Sequence, residues 1–445
     1  MTSTSVAPWL EGSHWPTVPI RLVARLGSGH TPSRSVPEYW DDCTVPWITL
    51  ADVWQLRSGA TDVITETKEK VSKLGLANSA AVKHPAGTVI LSRTASVGFS
   101  AIMGADMATS QDFATWTCGP KLDPRYLLHC LRAMAPDLKR IATGSTHKTI
   151  YMPDIEQLRV PVPPMDEQRR IAEFLHAETA RIDALSSLRK AQSALLDERE
   201  YAAVSEILVP GILSSPVEIW PWVWLPKMPA DRPLVRLGYV CRLQTGLTVD
   251  GKREVKGDVV TRPYLRVANV QAGRVDLDNL NEITVPTDIA SRATLRAGDV
   301  LMTEGGDLDK LGRGTVWRGE VSRCLHQNHV FALRPESDSL DADYLALMTR
   351  TLHGRNYFES TGVKTTNLAS TNSNKILSFP IPLPSVTEQR NLAKRAQTAL
   401  DNIATAGQVL DRQLKVLTER RQALVTAAVI GQIDVSTASG QGIEE

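Results

Sequence analysis

The sequence predicts an α+β protein in which two duplicated mixed α/β heads are joined by two long helices packed as an antiparallel coiled coil. Three observations carry this. The chain repeats a proline-rich signature, since Pro161-Val-Pro163 and Glu167-Gln168-Arg169 return as Pro382-Leu-Pro384 and Glu388-Gln389-Arg390, both 221 residues later. Each copy opens onto a long apolar-periodic segment. Weaker echoes then run through both halves in the same order.

Those echoes outline the heads. Arg25-Leu-Gly27 matches Arg236-Leu-Gly238, Ala51-Asp-Val53 matches Ala268-Asn-Val270, and Ala86 to Leu91 matches Ala297 to Met302. Ser110-Gln-Asp112 is aligned with His326-Gln-Asn328, and Leu122 to Leu127 with Leu340 to Leu345. Collinear order with a drifting offset indicates a duplicated domain of ~200 residues rather than a short solenoid repeat.

Within each head strands predominate. Thr88 to Leu91 and Asp299 to Met302 are short apolar runs entered through Ala-Gly, and Trp47 to Leu50 and Tyr264 to Val267 are similar. An Asp cap followed by Tyr and Leu at helical spacing predicts one helix over 123–134 and another over 341–352. The Pro-x-Pro exit cannot continue a helix and closes each head in extended chain.

The long segments come next. After Asp166, apolar positions fall at Ile171, Leu175, Ile182, Leu185, Leu188 and Leu195. In the second copy Ile403, Leu410, Leu417 and Leu424 recur every seven residues, with Leu400, Leu414 and Ala428 in the companion position and Gly407 and Arg421 interrupting. That is a coiled-coil seam. A helix of ~40 residues is ~60 Å long, too long to be buried in one head. The expected boundaries are a head at 1–160, a spacer helix at 161–209, a Pro/Trp-rich linker at 210–233, a second head at 234–380, a second spacer helix at 381–433, and a disordered tail at 434–445.

Composition narrows the function. Hydrophobic content of 42% and charged content of 22% are those of a globular protein, and the formal net charge of +1 advertises no global nucleic-acid field. The N-terminus has no basic and apolar leader pattern, and no run approaches the ~18 apolar residues of a membrane span. Five scattered cysteines without CxxC spacing point to a reducing cytosol.

Catalytic motifs are not found. Val162-Pro-Pro-Met165 lacks the flanks of a base-amino methyltransferase motif, and no GxGxxG or GxxxxGK[ST] loop occurs. Asp52 with Glu66 and Lys68 is a loose imitation of a nuclease metal site, and Cys324, His326 and His329 lack a second zinc-binding cluster. No catalytic or metal-ligating residue is assigned.

What remains are polar loops whose side chains suit nucleic acid. In the first half they are Ser28, His30 and Thr31; Arg93, Thr94 and Ser96; and Ser145, Thr146, His147 and Lys148. In the second half they are Gln244 and Thr245; Glu304-Gly-Gly306 with Lys310 and Arg313; and Lys364, Thr365, Thr366, Asn367, Asn372, Asn374 and Lys375. Arginine and lysine reach guanine edges and phosphates, Asn and Gln reach adenine, and Ser and Thr contact either.

The stretch Gly144 to Ile150, Asp154 to Leu158, Pro161-Val-Pro-Pro164 and Glu167 to Ile171 resembles the exit of a target recognition domain in the specificity subunit of type I restriction-modification systems. Gly362 to Arg390 resembles it more loosely, with Ser385 at the second proline and Leu392 at an isoleucine. The resemblance implies a cytoplasmic, non-catalytic reader of double-stranded DNA in phage defence. Each head would read one half of a bipartite site, and the helices would set the gap and dock two modification subunits. No cofactor is implied for this chain, with S-adenosylmethionine in the modification subunit and ATP and Mg in the restriction (translocase/nuclease) subunits. The other reading is a non-catalytic protein-interaction scaffold with two heads on a coiled-coil spacer.

Overall fold

The computed structural model describes residues 7–435 apart from 58, 145–147, 214–233, 250–256, 272, 307–310 and 365–368. The chain forms two compact units, one made of residues 1–190 and 411–445, the other of residues 191–410. Each spacer helix is thus shared between units. The expected linker lies mostly, and the tail largely, outside the described residues.

In the first unit a five-stranded sheet runs in the order Ala24–Ser28, Phe113–Cys118, Val89–Ser92, Ser100–Met103 and Val63–Ile64. A second sheet orders Glu69–Val71, Val45–Ile48, Met107–Thr109 and Lys83–His84. The Val89–Ser92 strand is buried on both faces, as its unbroken apolar run requires. Helix Pro124–Ala133 starts where Asp123 accepts the N–H groups of Arg125 and Tyr126, at 2.8 and 3.2 Å.

The second unit repeats the pattern. Its sheet orders Cys241–Thr245, Val330–Pro335, Val300–Thr303 and Gly314–Val316. The registers coincide: Phe113 faces Ser92 and Ala114 faces Ser28, just as Val330 faces Thr303 and Phe331 faces Thr245. Two expectations change here. The sheet aligns Ser110 with Gln327, one residue beyond the match to His326: Ser110 N–H donates to Ile48 O and Gln327 N–H to Leu265 O, both at 2.9 Å. The helix expected over 341–352 ends at Met348, and a new one spans Leu352–Thr361, because the Thr351 hydroxyl caps it by accepting Gly354 N–H at 3.1 Å.

Each Pro-x-Pro exit begins at the last residue of a strand. Thr17–Pro19 pairs antiparallel with Arg159–Pro161, and Leu234–Arg236 with Pro380–Pro382. Each head's incoming and outgoing chains are therefore clamped together, with the prolines on a two-stranded ribbon where a missing N–H is tolerated.

The long helices are Met165–Leu208 and Val386–Val429, each 44 residues or about 66 Å. In the first unit Ile171 and Leu175 share a core with Val425, Ala428 and Val429. In the second unit Val204 and Leu208 share one with Leu392, Ala396 and Leu400. Early residues of one helix meet late residues of the other in both units, so the pairing is antiparallel. Leu185, Leu188 and Leu195, expected in the seam, are instead 40%, 64% and 60% exposed. The half-buried line runs through Ser186, Arg189, Ser193 and Leu196, also at heptad spacing but turned away from those leucines. Arg421, read as an interruption, belongs to the seam: its Nε donates to Asp183 Oδ1 at 3.0 Å.

Candidate nucleic-acid interface

In the first unit the three polar loops meet at one sheet edge. The strands ending at Ser28 and Ser92 bring their following loops beside residues 110–112, which precede the strand between them. His30 N–H donates to Thr109 O at 3.0 Å, and the Thr31 hydroxyl donates to Gln111 Oε1 at 2.7 Å. Arg93 N–H donates to Asp112 O at 2.8 Å, its Nε to Gln111 O at 3.0 Å, and its Nη1 to Ile150 O at 3.3 Å. The third loop joins through Ala95 N–H to Lys148 O at 2.8 Å and a bridge between Thr94 and Thr149.

His30 and Lys148 are exposed at this edge, whereas Ser28, Thr31, Arg93, Thr94 and Ser96 are half-buried. The Ser28 hydroxyl is held by Phe113 O at 2.8 Å, and Arg93 spends its donors on backbone carbonyls, so both organise the cluster from within. Ser145, Thr146 and His147 lie outside the described residues.

The second unit builds the same edge from different side chains. Leu247 N–H donates to His326 O at 2.7 Å, Glu304 N–H to His329 O at 2.9 Å, and Thr371 N–H to Glu304 O at 2.8 Å. These repeat the bonds His30 to Thr109, Arg93 to Asp112, and Ile150 to Arg93. Glu304 therefore stands where the first unit has Arg93, and its Oε2 lies 2.5 Å from His329 Nδ1. The sequence places Glu304 in a polar loop but does not pair it with His329, because that pairing crosses 25 positions and needs the register to be seen.

Other expected residues are placed as follows. Thr245 is exposed at its strand end, and Gln244 donates to Arg292 O. Asn372 caps helix Ser373–Leu377 by accepting Lys375 N–H at 3.0 Å; Lys375 Nζ donates to Thr361 O; Asn374 is exposed. Arg313 donates to Tyr201 OH on the first long helix at 2.7 Å. Lys364 pairs by backbone with Ala369. Lys310, Thr365, Thr366 and Asn367 lie outside the described residues.

The residues weighed as metal ligands have structural partners. Asp52 is buried and accepts Thr49 N–H at 2.9 Å and Lys68 N–H at 2.7 Å. Burial pushes the Cys324 thiol up to about 12, which disfavours a thiolate, and His326 Nδ1 sits 2.6 Å from Val330 O. Among the described residues no three His, Cys, Asp or Glu side chains gather as a metal site, and no helix is long and apolar enough to cross a membrane.

Comparison with known proteins agrees with this architecture. Residues 12–192 match the family described as the type I restriction modification DNA specificity domain. The chain is 23% identical to the MjaIX specificity subunit of Methanocaldococcus jannaschii, over 58% of this chain and 59% of that protein. It is 23% identical to the EcoKI specificity subunit of Escherichia coli, over 66% and 62%. The chain thus spans less than two thirds of the length of these relatives. In fold it is similar, with a TM-score of 0.69 and 19% identity over 94% of this chain and 98% of the other, to a chain from a structure of type I R-M complex assembly and conformational transition. The HsdS subunit of Thermoanaerobacter tengcongensis gives a TM-score of 0.51 at 19% identity, over 94% and 97%. The chain is thus similar to type I restriction-modification specificity subunits, in family over residues 12–192 and in fold over most of its length.

Proposed function

We propose that the chain is the DNA-binding specificity subunit of a type I restriction-modification complex, and that each unit reads one half of a bipartite site. The observation that carries this is the duplicated loop edge, with the same backbone bonds but different side chains in the two units. Arg93 with Asp112 in one and Glu304 with His329 in the other give two edges of one design and different hydrogen-bonding character. That is what reading two unlike half-sites requires.

The chain itself would supply recognition and spacing. Methyl transfer with S-adenosylmethionine belongs in this reading to two modification subunits, and ATP- and Mg-dependent cleavage to restriction subunits. In this reading the chain's own residues position loops at the two edges, and the long helices set the spacing of the half-sites.

Selection of duplexes from a random-sequence pool by the full chain, alone and with co-expressed modification subunit, tests this. Enrichment of two short motifs at one fixed gap is expected. Stable capture of protein partners with no enriched motif would replace the reading with the scaffold.

A further inference from the structure

The first unit contains a cavity of about 340 Å³ where its head meets its parts of the two long helices. Four cations line it, Arg57, Arg132, Lys190 and Arg421, against a single lining carboxylate, Asp183. Arg421 is held by Asp183 at 3.0 Å, and Arg132 by Asp62 at 2.6 Å from outside the lining. Arg57 and Lys190 are exposed and have no ion pair among the described residues. With both carboxylates counted, two positive charges stay unbalanced. Leu56, Phe99 and Leu417 give the wall an apolar part, and Ser186 and Thr418 add hydroxyls.

The cations crowd one another. Burial lowers the proton affinity of the Arg132 guanidinium, Asp62 opposes that shift, and nearby Arg421 adds to it. His129, behind the wall, is pushed down to about 3 by burial and next by the charge of Arg132, so it stays neutral. An electropositive, partly desolvated hollow of this size takes a compact anion with an apolar body.

The duplication supplies a comparison. The second unit has a cavity of about 270 Å³ lined by Arg274, Arg318 and Arg350, of which Arg274 and Arg350 correspond to Arg57 and Arg132 in the matched segments. There Glu320 and Asp343 also line the wall, and Arg350 is paired with Glu200. Its charge is balanced, whereas that of the first unit is not.

From this juxtaposition we infer that the first unit's cavity is a binding site for a phosphate-bearing ligand of mononucleotide size, gripped by Arg57 and Lys190 with Arg132 and Arg421 behind them. The phosphate belongs either to a free nucleotide or to a nucleic-acid backbone.

Calorimetric titration of the full chain with AMP, pyrophosphate and adenosine tests the site. AMP and pyrophosphate should bind and adenosine should not. The double variant R57A/K190A should weaken both by about tenfold or more, since it removes two charge-assisted contacts. R57K/K190R should restore them, and R274A in the second unit should leave them unchanged. Displacement of bound pyrophosphate by duplex DNA would assign the phosphate to nucleic acid, and its persistence would assign it to a free nucleotide. Absence of pyrophosphate and AMP binding, or binding by R57A/K190A equal to that of the unaltered chain, would overturn the inference. The thermal midpoint of each variant, unchanged because both side chains are exposed, separates loss of binding from loss of fold.

Discussion

Gln168 accepts the backbone N–H of Asp123 through its side-chain oxygen at 2.8 Å, joining the start of the first long helix to the cap of the head's own helix. Its amide nitrogen donates to Lys121 O and Pro163 O, each at 2.9 Å, and the side chain is fully buried. Gln389 repeats all three bonds, with Asp341 N–H at 2.8 Å, Ser339 O at 2.9 Å and Pro384 O at 2.8 Å. The middle residue of the repeated Glu-Gln-Arg signature is a latch between head and helix.

Replacing Gln168 with leucine should strand one donor and two acceptors in a buried place and cost the first unit about 2–4 kcal/mol. Denaturant unfolding of the full chain, followed by fluorescence and helical signal, should show one destabilised transition. Gln389→Leu should shift the other. A change below ~0.5 kcal/mol would mean that water replaces the latch freely.

The second unit should weaken in mild acid. His353 is fully buried, stacks on Phe379 at 5.2 Å between ring centres, and points Nε2 at Pro380 O, 2.5 Å away. Burial holds it down to about 4, against 6.5 for the ordinary imidazole. Below pH 6.5 the unfolded chain takes up a proton that the folded chain refuses, so stability is complete above that value and falls as pH drops toward 4. The loss is about 3 kcal/mol across this window. His353→Gln should flatten the dependence there, as read by thermal unfolding at stepped pH. An unaltered acid profile in the variant would assign the effect to other groups.

Arg93 tests the modular reading. Because it ties Gln111 and Ile150 carbonyls together, alanine should loosen the first unit's loop edge and leave the second unit's intact. On duplexes with each half-site randomised in turn, discrimination should fall by ~1–3 kcal/mol at one half only. Equal loss at both halves would contradict independent heads.

Much of this architecture was legible from repetition. The Pro-x-Pro and Glu-Gln-Arg copies located both exits and both long helices, because a latch of three buried bonds and a proline ribbon tolerate few residue types. The loop residues near Ser28, Arg93 and Lys148 were found as separate stretches, and the register of Ser28, Ser92 and Phe113 explains why they meet. Periodicity failed at Leu185, Leu188 and Leu195. A heptad pattern identifies a face but not what covers it, and the half-buried face carries Ser186 and Ser193. The Glu304–His329 pair escaped because the echo at His326 was misaligned by one residue, which in a strand also exchanges its two faces.

In the proposed function the two long helices set the gap between the half-sites. Inserting four residues after Leu410, with a matching insertion in the Met165–Leu208 helix, lengthens the pair by ~6 Å, near two base pairs. Duplex selection with this variant should return the same two half-site sequences with the gap widened by about two base pairs. The same half-sites at an unchanged gap would contradict the claim.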